Sequence, residues 1–218
     1  MVCNLNPLWT SLQVMFYSGI LLFILGLPLA WLLSQKQWYG RGLLEIIVTL
    51  PLVFPPVAIG FFLLLLLGRE GWLNQLLPAE LHIKLIFSFP ALLIASVIAG
   101  LPLMVKPIQT LWERETRHLI ESAYSLGKTP WQTFWKVTLP NLWTGIAAGL
   151  TLGVGRGMGE VGISLMLGGN LVGKTDTLSL AIYNAVLDGD FHCATIYSWC
   201  LALFAITLFM LLRRFSFR

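Results

Sequence analysis

Apolar residues form five long runs along the chain, and short polar connections separate the runs. A helix needs about 20 mainly apolar residues to cross the roughly 30 Å of hydrocarbon in a membrane. The pattern therefore predicts membrane helices over residues 9–33, 43–67, 87–105, 141–167 and 195–212. The first run is expected to stay in the protein, because no basic residue precedes it and it exceeds the core of a signal peptide. Residues 163–186 are apolar and glycine-rich, which leaves open a short or re-entrant sixth segment.

The composition supports this interpretation. Hydrophobic residues make up 57% of the 218 residues and charged residues 11%, and the mean hydropathy is +0.80. Soluble domains carry about a quarter charged residues. The sequence therefore predicts an all-α integral membrane protein with one domain over residues 1–218. The net charge of +4 is explained by membrane orientation rather than by nucleic-acid binding.

Basic residues are concentrated in alternate connections. The connections after the first and third runs, with the C-terminus, contain Lys36, Arg41, Lys106, Arg114, Arg117, Lys128, Lys136, Arg213, Arg214 and Arg218. The other connections contain Arg69, Lys84 and Lys174. Cytoplasmic loops carry an excess of lysine and arginine. The N-terminus is therefore predicted outside and the C-terminus in the cytoplasm.

Residues 168–175, GGNLVGKT, match the phosphate-binding pattern G-x-x-x-x-G-K-[ST]. That loop requires a preceding strand, whereas these residues follow a predicted membrane helix on the outer side. We therefore expect a glycine–asparagine turn and no nucleotide.

The cysteines and histidines give no pattern that is typical of a metal site. Cys3, Cys193 and Cys200 have no metal-ligand spacing, and their odd number argues against a disulfide framework. Cys193 and Cys200 are interpreted as apolar packing residues near a helix. No metal and no cofactor is expected.

The fourth run carries glycines every four residues, Gly145, Gly149, Gly153 and Gly157. Such a ridge of small residues allows another helix to approach closely in lipid. Arg156 and Glu160 fall within the same arc of the helix and, at four residues apart, can pair. Two interpretations stay open: a structural ion pair, or an arginine that assists an anion along a pathway.

Prolines interrupt three of the runs at Pro28, at Pro51, Pro55 and Pro56, and at Pro102 and Pro107. Each removes a backbone hydrogen bond and kinks or breaks a helix. They indicate either adjustment of helix shape or a broken helix beside a pathway.

Residues 117–140 form the longest predicted cytoplasmic connection and have a helical pattern. The spacing predicts two short amphipathic helices, the first ending at Gly127 and the second capped by Thr129. Trp131, Phe134 and Trp135 recur at helical spacing in the second. So much aromatic surface in water requires a partner to cover it.

Several positions of this connection resemble the EAA motif of bacterial ABC importer permeases. That motif reads E-A-A, then G after three residues, I after nine more, and L-P after one more. The matching residues are Glu121, Ser122, Ala123, Gly127, Val137, Leu139 and Pro140. Ser122 replaces the second alanine and Val137 replaces the isoleucine. In that family the motif lies in a coupling loop that docks in a groove of a separate ATPase subunit.

Longer stretches resemble molybdate permeases of the ModB type, above all GMGEVG at 157–162 and GGNLVGKT. The resemblance implies a type I ABC importer permease bundle in the bacterial inner membrane, as a homodimer with two ATPase subunits. A periplasmic binding protein would deliver a tetrahedral oxyanion, most simply molybdate, and the chain itself would be no enzyme. Related sulfate and tungstate permeases leave the anion open.

Two other classes of function are considered. A secondary transporter often shows an internal repeat, which is not visible here, and the docking loop would have no role in it. A membrane enzyme needs clustered catalytic groups, and the outward acids Asp176, Asp188 and Asp190 form the one such cluster.

Overall fold

The computed structural model describes residues 3–35, 39–69, 71–76 and 85–216, with side chains as far as residue 211. Lys36, Lys84 and Arg218, which the orientation argument used, lie outside these ranges, as do the side chains of Arg213 and Arg214. The described ranges are helical and contain no strand. The helices are α1 (Asn6–Ser34), α2 (Arg41–Val53), α3 (Pro56–Leu67), α4 (Trp72–Leu76), α5 (Phe89–Leu111), α6 (Arg117–Ser125), α7 (Pro130–Thr133), α8 (Leu139–Met158), α9 (Gly162–Gly168), α10 (Leu178–Leu187) and α11 (Phe191–Ser216), and two π-helical turns are π1 (Trp112–Thr116) and π2 (Phe134–Thr138).

Five helical segments are long and apolar enough to cross a membrane, which confirms the predicted number of spans. They are Asn6–Ser34, Pro56–Leu76, Phe89–Ser125, Pro130–Met158 and Phe191–Leu211. The fourth predicted span, 141–167, is wrong at its end, because α8 stops at Met158 and the chain turns before α9. With 7 and 10 residues, α9 and α10 are about 10 and 15 Å long and too short to cross. The glycines at 159 and 162 explain the break.

The second predicted span, 43–67, is wrong as one helix, because the proline-rich stretch divides it and the candidate membrane span there is Pro56–Leu76. α2 ends at Val53 and α3 begins at Pro56, where the missing N–H of a proline costs no hydrogen bond. Pro28, Pro102 and Pro107 remain inside α1 and α5.

The core is the packing of α8 on α5, with α1 lying across both. Leu22 of α1 and Met104 of α5 are fully buried there, beside the glycines of α8. In lipid this close contact, rather than the hydrophobic effect, holds helices together.

A disulfide joins Cys3 to Cys193, so the argument from the odd number of cysteines does not hold for this pair and the interpretation of Cys193 as a plain packing residue is wrong. An odd number of cysteines does not exclude one bridge, and folding brings two residues 190 apart in sequence to the same end of the bundle. The Tyr197 hydroxyl donates to the Asn4 carbonyl at 2.8 Å, and the Leu178 N–H donates to Ser11 Oγ at 2.8 Å. The segment before α1 is thereby fixed to α11, and α1 is fixed to the start of α10. Cys200 is a free cysteine, as a packing residue would be.

Candidate functional site

The connection at 117–140 consists of two helical arms that extend membrane helices. α5 continues through π1 into α6, so that one helical segment runs over the 37 residues of Phe89–Ser125, about 55 Å. On the other side, α7 continues through π2 into α8. The predicted pair of separate short helices is therefore corrected: each arm is the end of a membrane-crossing segment. π-turns are rare and occur often at functional sites.

A tight turn joins the two arms. The Gly127 N–H donates to the Tyr124 carbonyl at 2.9 Å and the Lys128 N–H to the Ala123 carbonyl at 3.1 Å, the pair of bonds of a Schellman helix end. Gly127 has a φ of 75°, a conformation that favours glycine. Thr129 and Gln132 then form a reciprocal capping box at the start of α7. These contacts confirm the predicted helix end and cap.

The remaining motif residues differ in their exposure. Ala123 is buried, whereas Glu121 and Ser122 are exposed. Glu121 pairs with Arg117 at 3.2 Å, and the Ser122 hydroxyl donates to the His118 carbonyl at 2.8 Å. On the returning arm, Val137 and Leu139 are half-buried and Pro140 is exposed in the first turn of α8. Serine at position 122 is therefore accommodated on the solvent-exposed face of α6.

Three aromatic rings form an exposed cluster on the second arm. The ring centroids of Trp131 and Trp135 lie 5.7 Å apart, and those of Phe134 and Trp135 lie 5.5 Å apart. Trp131 is 71% exposed and Trp135 is 51% exposed. A cluster of exposed aromatic side chains outside the membrane is typical of an interaction site.

A polar network, which sequence reasoning missed, ties α2 to α5 and π1 just before the loop. Lys106 pairs with Glu45 at 2.6 Å, and Arg41 pairs with Glu113 at 2.7 Å. Gln109 connects the two pairs, because its amide nitrogen donates to Glu113 at 3.2 Å and its oxygen accepts from Lys106 at 3.4 Å. The available signal was the four-residue spacing of Arg41 and Glu45 on one helix and of Gln109 and Glu113 on the other.

A cavity of about 600 Å³ lies between the end of α1 and the two arms. Aromatic residues of α1, π1, α6 and π2 line it, namely Trp31, Trp112, Tyr124 and Phe134, and Arg117 and Glu121 also line it. The Asn141 amide donates to the Thr116 hydroxyl at 2.7 Å, which joins the bases of the arms.

The predicted glycine ridge lies against α5. A Cβ on Gly149 would come within 2.6 Å of the Met104 carbonyl oxygen, and one on Gly153 within 2.9 Å of the Gly100 carbonyl oxygen. A Cβ on Gly157 would overlap Ser96. These distances confirm that the ridge permits close helix packing.

Arg156 and Glu160 pair at 2.7 Å at the outer end of α8. The Glu160 side chain is 2% exposed and that of Arg156 is 34% exposed, so the expectation that both face the packed interior holds fully for Glu160 alone. Glu160 also accepts the Ile163 N–H at 2.9 Å and thus caps α9. Gly162 lies against Pro56 and Val57 at the start of α3. The pair is therefore part of the junction between α8, α9 and the broken second span.

The stretch that matches the phosphate-binding pattern is a turn, as predicted. Thr175 is fully buried; its hydroxyl donates to the Gly168 carbonyl at 2.7 Å and accepts the Leu171 N–H at 2.8 Å. Asn170 has a φ of 53° and exchanges two amide hydrogen bonds with Asn184, at 2.6 and 3.0 Å. The threonine hydroxyl therefore stabilises the turn through both of these hydrogen bonds.

A second cavity, of about 770 Å³, opens at the outer end between the N-terminal segment, α10 and α11. Its lining includes the three outward acids together with the disulfide and one histidine, namely Asp176, Asp188, Asp190, Cys3, Cys193 and His192.

Comparison with known proteins adds sequence and fold relationships. Residues 23–217 match the family model described as "Binding-protein-dependent transport system inner membrane component". The molybdenum transport system permease protein ModB of Haemophilus influenzae is 35% identical over 176 residues, which cover 81% of this chain and 77% of that protein. The probable sulfate transport system permease protein cysT of Chlorella vulgaris is 30% identical over 206 residues, 94% of this chain and 77% of that one. A crystal structure of a bacterial ABC transporter involved in alginate import superposes with a TM-score of 0.77 at 21% identity, over 97% of this chain and 78% of that one.

Proposed function

The chain belongs to the family of inner-membrane components of binding-protein-dependent transport systems, and we propose that it forms the membrane path of an ATP-driven importer of a tetrahedral oxyanion. It is a multi-pass inner-membrane permease of the ABC importer type. We further propose that residues 1–218 are a single permease domain and that 117–140 is its cytoplasmic coupling loop.

The observation that carries the proposal is the exposed cluster of Trp131, Phe134 and Trp135 at the tip of two arms that continue into the membrane. A separate ATPase subunit with a groove for this cluster would cover it. Because the arms are helical throughout, movement of the tip would be passed to α5 and α8. Glu121, Ser122, Ala123, Gly127, Val137, Leu139 and Pro140 are proposed as the residues that shape this contact.

Two copies of the chain would enclose the path, and two ATPase subunits would bind their loops. In support, the apolar stretches of the spans Pro56–Leu76 and Phe191–Leu211 are only 12% and 11% buried within one chain. Such surfaces are available to lipid or to a second copy. A periplasmic binding protein would release the anion at the outer end.

Arg156 is proposed to favour the anion near the path, with Glu160 holding its guanidinium in place. Gly149, Gly153 and Gly157 are proposed to serve packing alone. The alternative stays structural: Glu160 needs a cation because it is buried, and Arg156 provides it.

Molybdate is the proposed substrate, because permease relatives described as molybdenum transporters match at 35% and 34% identity. Relatives described as sulfate permeases match either at 35% and 36% identity over only 56% and 57% of their own length or at 30% identity over 77%, against 77% and 81% for the two molybdenum permeases, so sulfate is the second candidate. The binding protein is expected to supply most of the selectivity, since a pathway must release what it carries.

Co-purification tests the assembly. The tagged chain, expressed with the ATPase of its transport system, should retain that subunit, and the double variant W131A/W135A should lose it. Trp9→Ala is the matched control, because Trp9 is 65% exposed near the start of α1, away from the loop and from the faces of α3 and α11. Equal retention by W131A/W135A and wild type would refute docking at this cluster.

The substrate is tested in liposomes that contain the permease, its ATPase and its binding protein. Molybdate is expected to stimulate ATP hydrolysis most, with tungstate and sulfate measured in parallel. Stimulation by sulfate alone would transfer the assignment to the second candidate. Uptake by a chain without any ATPase would favour a secondary transporter instead.

A further inference from the structure

The outer cavity contains a cluster of metal-ligating side chains that the proposed transport does not use. One ligand atom of Cys3, one of His192 and one of Cys193 all lie within 4.8 Å of one another. Two of the three residues are the disulfide-bonded cysteines, and all three line the cavity of about 770 Å³. The cluster is therefore reachable by small solutes from the outer side.

The three side chains come from two different parts of the fold, the start of α11 and the segment before α1. His192 and Cys193 are consecutive residues in the first turn of α11, and the Cys193 N–H donates to Asp190 Oδ1 at 3.1 Å. Cys3 lies in the short segment that precedes α1. Opening the disulfide would free one sulfur on a fixed helix and one on this segment.

Two thiolates and one imidazole are the ligands that zinc prefers in proteins, at about 2.3 Å for sulfur and about 2.0 Å for nitrogen. Ligand atoms on one tetrahedral zinc ion lie roughly 3.5–4 Å apart. The observed spread of the three ligand atoms is compatible with that geometry after the sulfurs separate.

We propose that, once the disulfide is reduced, Cys3, His192 and Cys193 bind one Zn²⁺ ion. A dithiol donor would supply two electrons and two protons, closing to its own disulfide while it opens this one to two thiols. The metal would then displace both thiol protons. Water or a carboxylate of the cavity would complete the tetrahedron. Zinc and the disulfide exclude each other, and either one ties the N-terminal segment to α11.

The charges around the cavity favour a cation. Asp176, Asp188 and Asp190 line it, while among the described residues no lysine or arginine does. Asp176 is 3% exposed, and its Oδ1 has no hydrogen-bond partner within the described part of the chain. A concave surface of one sign raises the local concentration of the opposite ion.

The test uses the full chain in detergent, reduced with a water-soluble phosphine and desalted without oxygen. The phosphine takes up the oxygen of water as the disulfide becomes two thiols. Titration with Co²⁺ should give one ion per chain, a sulfur-to-cobalt charge-transfer band, and loss of that band when Zn²⁺ is added. Oxidised protein should give no band.

Variants distinguish binding by the cysteines and the histidine from binding by the aspartates of the cavity. C3S/C193S should lose the band, His192→Gln should weaken cobalt binding at least about tenfold, and Cys200→Ser should behave as wild type. His192→Gln keeps both cysteines, so it remains informative if the double variant folds poorly. Absence of the band in reduced wild type, or unchanged affinity in His192→Gln, would overturn the proposal. Equal cobalt binding by oxidised and reduced protein would assign the ion to the carboxylates instead.

Discussion

Replacing Gly149 by alanine tests whether the contact of α8 with α5 is as close as the structure indicates. The new Cβ would lie 2.6 Å from the Met104 carbonyl oxygen and 3.1 Å from the Met104 sulfur. Non-bonded carbon contacts are most favourable at about 3.5–4.0 Å. The two helices would have to separate by roughly 1 Å, and that oxygen is backbone, which cannot rotate away.

The same helix provides a matched control. A Cβ on Gly155 would meet the Leu208 side chain at 3.7 Å, an ordinary contact. Both substitutions gain the same helix propensity, about 1 kcal/mol, which cancels in the comparison. Overpacking costs about 1–3 kcal/mol. Gly149→Ala should therefore be less stable than Gly155→Ala by about that amount.

The measurement is the thermal unfolding midpoint of the purified chain in detergent. For a chain of this size, 1 kcal/mol corresponds to about 2–4 °C, so the two midpoints should differ by roughly 2–12 °C, with Gly155→Ala at or above wild type. Equal midpoints for the two variants would refute the close packing of α5 and α8 at this position.

Three further changes test the loop, the ion pair and the disulfide. At Gly127 the surroundings are open but φ is 75°, so Gly127→Ala should lower the stability of the turn by about 1–2 kcal/mol and reduce uptake, while the protein still inserts into the membrane. Gly127→Asn should retain more uptake, because asparagine tolerates this conformation. Equal loss of uptake in both variants would contradict the explanation from backbone conformation. Arg156→Ala should lower the unfolding midpoint, because it leaves the charge of Glu160 buried without a partner. Adding Glu160→Gln should recover part of that loss. If the destabilisation of the double variant equals the sum of the two single variants, the two residues do not interact. Cys3→Ser should lower the unfolding midpoint of oxidised protein to that of reduced wild type. The free energy of unfolding lost with the bridge should be at most about 5 kcal/mol for a loop of this length. An unchanged midpoint would show that the bridge does not contribute to stability.

Much of the architecture could be predicted from sequence because its signals are local. The long apolar runs predicted five spans, and Gly127 predicted the end of a helix. The spacing of Gly149, Gly153 and Gly157 predicted the face on which α8 packs. The break after Met158 was missed, because apolar residues continue through Leu167 and hydropathy does not register a change of direction. The glycines at 159 and 162 were the available signal.

Contacts between distant segments could not be predicted in this way. The bridge from Cys3 to Cys193 depends on the N-terminal segment and the start of α11 meeting at one end of the bundle, which no local pattern specifies. The network of Glu45, Lys106 and Glu113 likewise joins two helices that are separate in sequence. Identification of the motif residues in the loop came from resemblance, whereas their exposure and partners required the structure.

The glycine contacts between α5 and α8 limit how this protein can move. Backbone lies against backbone along that seam, so the two helices cannot slide past one another without steric overlap. The two arms of the loop are continuous with these same two helices. Under the proposed coupling, movement of the loop would carry α5 and α8 together, and a path would open where these two helices meet the broken second span or a neighbouring molecule.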